Sequence, residues 1–191
     1  MKRIIIFASG SGTNAENLIR FFQSNSRADV VQVLTNNPYA KVIERCNKLN
    51  VSCLSFNRAA FYDTDDVLNL LKLKEPDLII LAGFLWKVPG KVLQGFPNKI
   101  INIHPALLPK YGGKGMYGKH VHEAVVNNKE IETGISIHYV NENYDEGALI
   151  FQTKCEIDST DTAEDVAEKI HELEMVHFPG VVEALIENSD G

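Results

Sequence analysis

Residues 2–19, KRIIIFASGSGTNAENLI, pass from an uninterrupted apolar stretch through a knot of small residues into a segment with helical spacing. Lys2 to Ala8 shows no polar alternation and reads as a strand buried on both faces. From Asn14 to Ser24, Leu18, Ile19 and Phe22 fall on one helical face. Between these elements, Gly10, Gly12 and Ala15 match G-x-G-x-x-G/A. In a parallel sheet the loop leaving the first strand lies at the carboxyl edge, where ligands bind, and the next helix points unpaired N–H groups outward. Glycines let an anion come close, so SGSGTN is physically a phosphate cradle, with Ser11, Thr13 and Asn14 as added donors. The same residues also suit a plain strand-to-helix turn capped by Thr13 or Asn14.

A dinucleotide site needs an acidic residue at the end of the second strand. That strand ends LTNNPYA; Asp29 has the right sequence distance but precedes the strand, and no Arg is placed for a 2′-phosphate. A single phosphate monoester fits better.

Outward from the loop, apolar runs alternate with helical periodicity. Val30 to Leu34 is a second strand, Ala40 to Leu49 a helix, Ser52 to Ser55 a short strand, residues 62–74 a helix, and DLIILAG and KIINIH two further strands. This predicts a doubly wound half with a parallel sheet covered by helices. After His104, PALLPKYGGKGMYGKH reads as a long loop, GISIHYV as a half-exposed strand, and ALIFQTK as its antiparallel partner across NENYDEG. Thr162 to Asn188 reads as a helix bent or split at Pro179. The expected fold class is α/β: one Rossmann-like domain with a doubly wound, mostly parallel sheet, an antiparallel C-terminal strand portion and a C-terminal helix.

The bulk composition narrows the function. The 191 residues, 45% hydrophobic and 23% charged, suit one core with neither repeat nor low-complexity tract. A net charge of −6 argues against a general nucleic-acid binder. The apolar run after the basic start is too short for a signal peptide or membrane span. Cys46, Cys53 and Cys155 are scattered, as reduced thiols of a cytoplasmic protein are, and disfavour a metal site.

INIHPALLP places Asn102 and His104 two apart at a strand end, on one face, with Pro105 stopping the strand. An amide donor and an imidazole sharing a cleft suit transfer at a carbonyl: one stabilises a developing oxyanion, the other exchanges a proton with nitrogen. A capped strand end with a satisfied histidine would look the same. Asp145, in NENYDEG, can reach this edge, and a carboxylate there would raise the His104 pKa and make it an acid near neutrality. Local turn chemistry alone also explains an Asp before Gly. There is neither G-x-S-x-G nor H-E-x-x-H, and His120 and His122 sit in a glycine-flanked loop, so a covalent intermediate and catalytic zinc are disfavoured.

Taken together, SGSGTN, PDLIILAGF, INIHPALLPKY, TGISIHYV, DEGALI and the terminal HFPGVV resemble the folate-dependent formyltransferase family over nearly the whole chain. The resemblance implies direct formyl transfer from 10-formyltetrahydrofolate to the amino group of a phosphoribosylglycinamide, in purine biosynthesis, without a metal. It implies that Asn102 holds the formyl oxygen, that His104 is the proton donor, and that Asp145 raises the His104 pKa and helps relay the proton. Gly12, Thr13 and Asn14 would hold the phosphate, and Glu174 the rest of the nucleotide. Folate would lie against the backbone of Leu85, Trp86, Lys87 and Val88, with Arg58 a further contact. Residues 1–191 would be one domain, with a nucleotide-binding half at 1–104 and a folate and catalytic half at 105–191. The partners implied are small molecules, with no nucleic acid or membrane, for a monomer or homodimer.

Two departures stand out. Leu85 and Trp86 replace the family's Met-Arg, and YGGKGMYGKHVH is longer and richer in glycine, which predicts a mobile lid. A formyltetrahydrofolate hydrolase would share Asn, His and Asp but would carry an added N-terminal domain and need no phosphate loop. Methionyl-tRNA formyltransferase would need a C-terminal RNA-binding domain. A non-catalytic nucleotide-binding module would need only the glycine loop.

Overall fold

The computed structural model describes residues 1–188; the last three residues of the expected domain, 189–191, lie outside them. The chain runs β1 (Lys2–Phe7), α1 (Thr13–Asn25), β2 (Ala28–Thr35), α2 (Lys41–Lys48), β3 (Cys53–Ser55), α3 (Asp66–Lys74), β4 (Leu78–Leu81), α4 (Gly90–Gly95), β5 (Ile100–His104), α5 (Lys119–Asn127), β6 (Glu132–Tyr139), β7 (Leu149–Glu156) and α6 (Ala163–Asn188). The strands form one sheet in the order β3-β2-β1-β4-β5-β6-β7. Pairing is parallel from β3 to β5 and antiparallel from β5 through β6 to β7.

Strand periodicity explains why the apolar runs are continuous. Along β1, Ile4 and Ile6 join the core under α1 and α6, while Ile5 and Phe7 join the core on the other face with α3 and α4. All four are at most 2% exposed, and each such side chain stabilises the fold by about 1.5–3 kcal/mol. Among the described residues, no helix is long and apolar enough to cross a membrane.

Several expectations need correction. The helix predicted over 62–74 starts at Asp66; Ala59–Asp63 instead forms a wide π turn that seats Phe61 against Phe7, Phe56 and Phe84. Residues 90–95 and 119–127 are helical, so His120 and His122 lie on α5 and not in a loop. Asp29 belongs to β2, opposite Arg3, yet still at the amino end of the sheet. The expected half-exposed strand, β6, is buried on both faces, with Ser136 at 0% and His138 at 2% exposure.

Neither Thr13 nor Asn14 caps α1. The N-cap is Gly12, at φ 72°, without a side-chain bond, and the Asn14 amide crosses to Glu174 Oε2 at 2.9 Å. Pro179 does not split α6, which is one helix from Ala163 to Asn188. A proline lacks the N–H that would bond the carbonyl four residues back. That carbonyl, of Met175, accepts instead from Asn17 Nδ2 at 2.9 Å.

Candidate active site

A cavity of about 750 Å³ opens at the carboxyl edge of β1, β4 and β5. Gly12, Thr13, Asn14, Leu85, Trp86, Lys87, Val88, Asn102, His104, Asp145 and Glu174 all line it. Of the expected site residues, Arg58 alone is elsewhere: it lines a neighbouring cavity of about 460 Å³ that shares Trp86 as a wall. Its guanidinium lies 4.9 Å from the Tyr62 ring centroid and 5.2 Å from that of Trp86, a cation–π stack.

The glycine loop owes its shape to α2. A Cβ on Gly12 would stand 2.4 Å from Val42 Cγ2, and φ 72° is itself unfavourable for an L side chain. Val42 N–H donates to the Gly10 carbonyl at 3.2 Å and Arg45 Nε to that of Ser11 at 2.7 Å. Without a side-chain cap, the first turn of α1 presents its N–H groups and the positive end of its dipole to the cavity.

The segment after β4 is fastened to this loop. Ser9 N–H donates to the Gly83 carbonyl at 3.0 Å, and Leu85 N–H donates to Ser9 Oγ at 2.9 Å. Tyr62 Oη donates to the Lys87 carbonyl at 2.9 Å. Two of the backbone groups expected to read a pterin are therefore already engaged. Trp86 packs its ring with Phe56, Phe61 and Tyr62, while Leu85 beside it is 49% exposed and lines the cavity.

At the centre stand Asn102, His104 and Asp145, joined by a residue that the sequence reading missed. His138 faces Asn102 across the β5–β6 pair. Its Nδ1 lies 2.8 Å from the Tyr139 carbonyl, and its Nε2 lies 3.1 Å from Asn102 Nδ2 and 3.5 Å from Asp145 Oδ1. Asn102 Nδ2 also approaches Asp145 Oδ1 at 3.4 Å. Asp145 Oδ2 accepts from Gly113 N–H at 2.9 Å and lies 3.6 Å from His104 Nδ1. His104 Nε2 donates to the Tyr111 carbonyl at 2.7 Å. The signal for His138 was polar alternation within β6: Ser136 and His138 share the face that lacks Ile135 and Ile137.

Asp145 pulls the His104 pKa upward, as expected, but the net shift is downward. Burial holds the His104 pKa below its ordinary value; Asp145 and the Tyr111 carbonyl pull it upward without overcoming burial. His104 is thus a neutral imidazole near pH 7 with Nδ1 free to take a proton. Burial would raise Asp145, but His138, His104 and Gly113 N–H outweigh it and keep the carboxylate ionised. His122, 7% exposed and also at the cavity, has its Nδ1 buried without a partner; burial and then His104 depress its pKa. Among the described residues, no group of three or more His, Cys, Asp or Glu side chains could hold a metal ion.

Burial pushes Glu174 up to about 7, against the pull of Asn14. Its folded pKa exceeds its ordinary 4.5, so its contribution to stability is present below 4.5 and is lost as pH rises through 7. Glu174→Gln should therefore melt higher than the parent by an amount that opens between these values and stays level above, on the order of 5 °C. Parallel melting curves from pH 4.5 to 8 would contradict this.

A phosphate-type loop, an amide, a neutral imidazole and a carboxylate around one cleft define a group-transfer site at a carbonyl. The chain belongs to the formyl transferase family, whose model matches residues 2–182. It is 36% identical to the phosphoribosylglycinamide formyltransferase of Bacillus subtilis (strain 168), over 97% of this chain and 95% of that protein. The crystal structure of phosphoribosylglycinamide formyltransferase from Bacillus halodurans superposes with TM-score 0.87 at 33% identity, covering 98% of this chain and 97% of that one. Glycinamide ribonucleotide transformylase 1 from Symbiobacterium toebii gives TM-score 0.90 at 29% identity, covering 98% and 89%.

Proposed function

We propose that this protein transfers a formyl group from 10-formyltetrahydrofolate to the amino group of phosphoribosylglycinamide, in the cytoplasm. The observation that carries the reading is the meeting of Asn102, His104 and Asp145 in the cavity whose other end is the uncapped start of α1. Gly12, Thr13 and Asn14 take the phosphate there, and Glu174 takes hydroxyl groups of the nucleotide. The folate rests on Leu85 and the backbone through Val88. The buried Asn14 Oδ1, an acceptor without a partner, favours a ligand that brings a donor, and the unpartnered His122 Nδ1 adds a second polar atom for a ligand to meet.

The folate supplies the formyl carbon. In the transfer a C–N bond forms between the amine and that carbon, the bond to the folate nitrogen breaks, and one proton passes from amine to folate nitrogen. His104, neutral when free, accepts that proton at Nδ1 and returns it to the leaving nitrogen. Asp145 stabilises the imidazolium between the two events. Asn102 turns its amide from His138 to the formyl oxygen as negative charge develops there. Asn102→Ala should lower kcat by about 10²-fold, with the KM of both substrates nearly unchanged; a change confined to KM would place Asn102 in binding only.

The test of the reading is spectroscopic release of folate from the 10-formyl donor with and without phosphoribosylglycinamide. Release that requires the nucleotide supports the transferase. Release without it makes the protein a hydrolase, and no release under either condition rejects the reading.

A further inference from the structure

Pro179 leaves one carbonyl of α6 without its helical partner, and the group that replaces the partner comes from the helix that begins at the phosphate loop. Asn17 Nδ2 donates to Met175 O at 2.9 Å. One turn earlier on the same face of α1, Asn14 Nδ2 donates to Glu174 Oε2 at 2.9 Å. Further along, Asn25 bonds Glu183 at 2.9 Å and Arg27 pairs with Glu187, so the two helices lie side by side with bonds at both ends.

These contacts are not equivalent. The Asn25 and Arg27 bonds join flexible side-chain ends, which tolerate a slide of one helix along the other. Asn17 grips a backbone atom, which does not swing with a rotamer. The Met175 carbonyl adjoins Glu174, and Asn17 stands one turn beyond Gly12–Asn14. The bond therefore measures the distance between the first turn of α1 and the Glu174 carboxylate.

We infer that Asn17, bonded to the carbonyl that Pro179 leaves open, is the lock that sets Glu174 against the phosphate loop, so that Asn17 is a positioning residue for the nucleotide. The inference rests on the reading of Gly12–Asn14 and Glu174 as the nucleotide site. The proline creates the open acceptor and Asn17 occupies it. Neither residue touches the reacting atoms.

The experiment is a double-mutant cycle of Asn17→Leu and Pro179→Ala. It reads melting temperature, kcat, the KM of each substrate, and calorimetric binding of phosphoribosylglycinamide. Asn17→Leu should lower the melting temperature and weaken the nucleotide about tenfold, the loss of one well-made hydrogen bond, with kcat and donor KM within about twofold. Pro179→Ala alone should bind nucleotide like the parent, since Asn17 remains. In the double variant the backbone N–H restored at position 179 takes the Met175 carbonyl, so the melting temperature recovers while the nucleotide stays weak. Recovery of both would make Asn17 merely a hydrogen-bond filler and overturn the inference. Unchanged nucleotide binding in Asn17→Leu would do the same. A parent that binds nucleotide without turnover refutes the proposed activity and leaves the lock to be judged by binding; a parent that binds none refutes both.

Discussion

His104→Ala lowers nucleotide-dependent folate release by roughly 10²–10⁴-fold, the contribution of a positioned proton-transfer group, while phosphoribosylglycinamide still binds with near-parent affinity. Its partners explain why the two readouts separate. Asp145 keeps Asn102, His138 and Gly113 when the imidazole is gone, so the carboxylate stays in place. The phosphate loop is held by α2, which does not contact His104 through any of the bonds described. Because the ring is 3% exposed, its removal leaves a cavity, and His104→Gln supplies a larger side chain without the imidazole's proton chemistry. If both variants keep turnover within tenfold of the parent, His104 is not the proton-transfer group.

Gly12→Ala is the second large effect, and its origin is steric. The new methyl would stand 2.4 Å from Val42 Cγ2 and 2.9 Å from Val42 Cα, and a backbone atom cannot step aside as a side-chain end can. Adding the left-handed strain of a non-glycine residue to the overpacking gives a cost of about 2–5 kcal/mol. The loop must lift from α2, spoiling the aim of the first-turn N–H groups, so nucleotide affinity should fall at least about 100-fold while donor binding changes little. Gly10→Ala is the stability control: its Cβ would meet nothing within 4 Å. Equal melting temperatures for the two variants would show that the steric account is wrong.

The parallel half of the fold was legible because strands buried on both faces read as unbroken apolar runs. SGSGTN and INIHP were legible because a glycine turn and a proline stop leave local marks. What escaped depends on contacts distant in sequence. The carbonyl that Pro179 leaves open in α6 is taken by a donor 158 residues away, which no local rule supplies. Ser136 and His138 alternate with isoleucines as a solvent face would, but residues far along the chain cover them: Ser136 Oγ donates to the Ala106 carbonyl and accepts from Leu108 N–H, and His138 meets Asn102 and Asp145. The carboxylate beside His104 could be anticipated from Asp145, but the desolvation that outweighs it belongs to the folded cavity. The six-residue α4 carries glycine at both ends, and its helical signal is correspondingly weak.

β1 and β4 are adjacent strands, so the loops that follow them begin about one interstrand spacing apart, roughly 4.8 Å, and Ser9 stitches them together. On the proposed binding, with the phosphate at the first loop and the folate at the second, the separation of acceptor from donor starts from the sheet's hydrogen-bond lattice and is fastened by one bond, from Leu85 N–H to Ser9 Oγ.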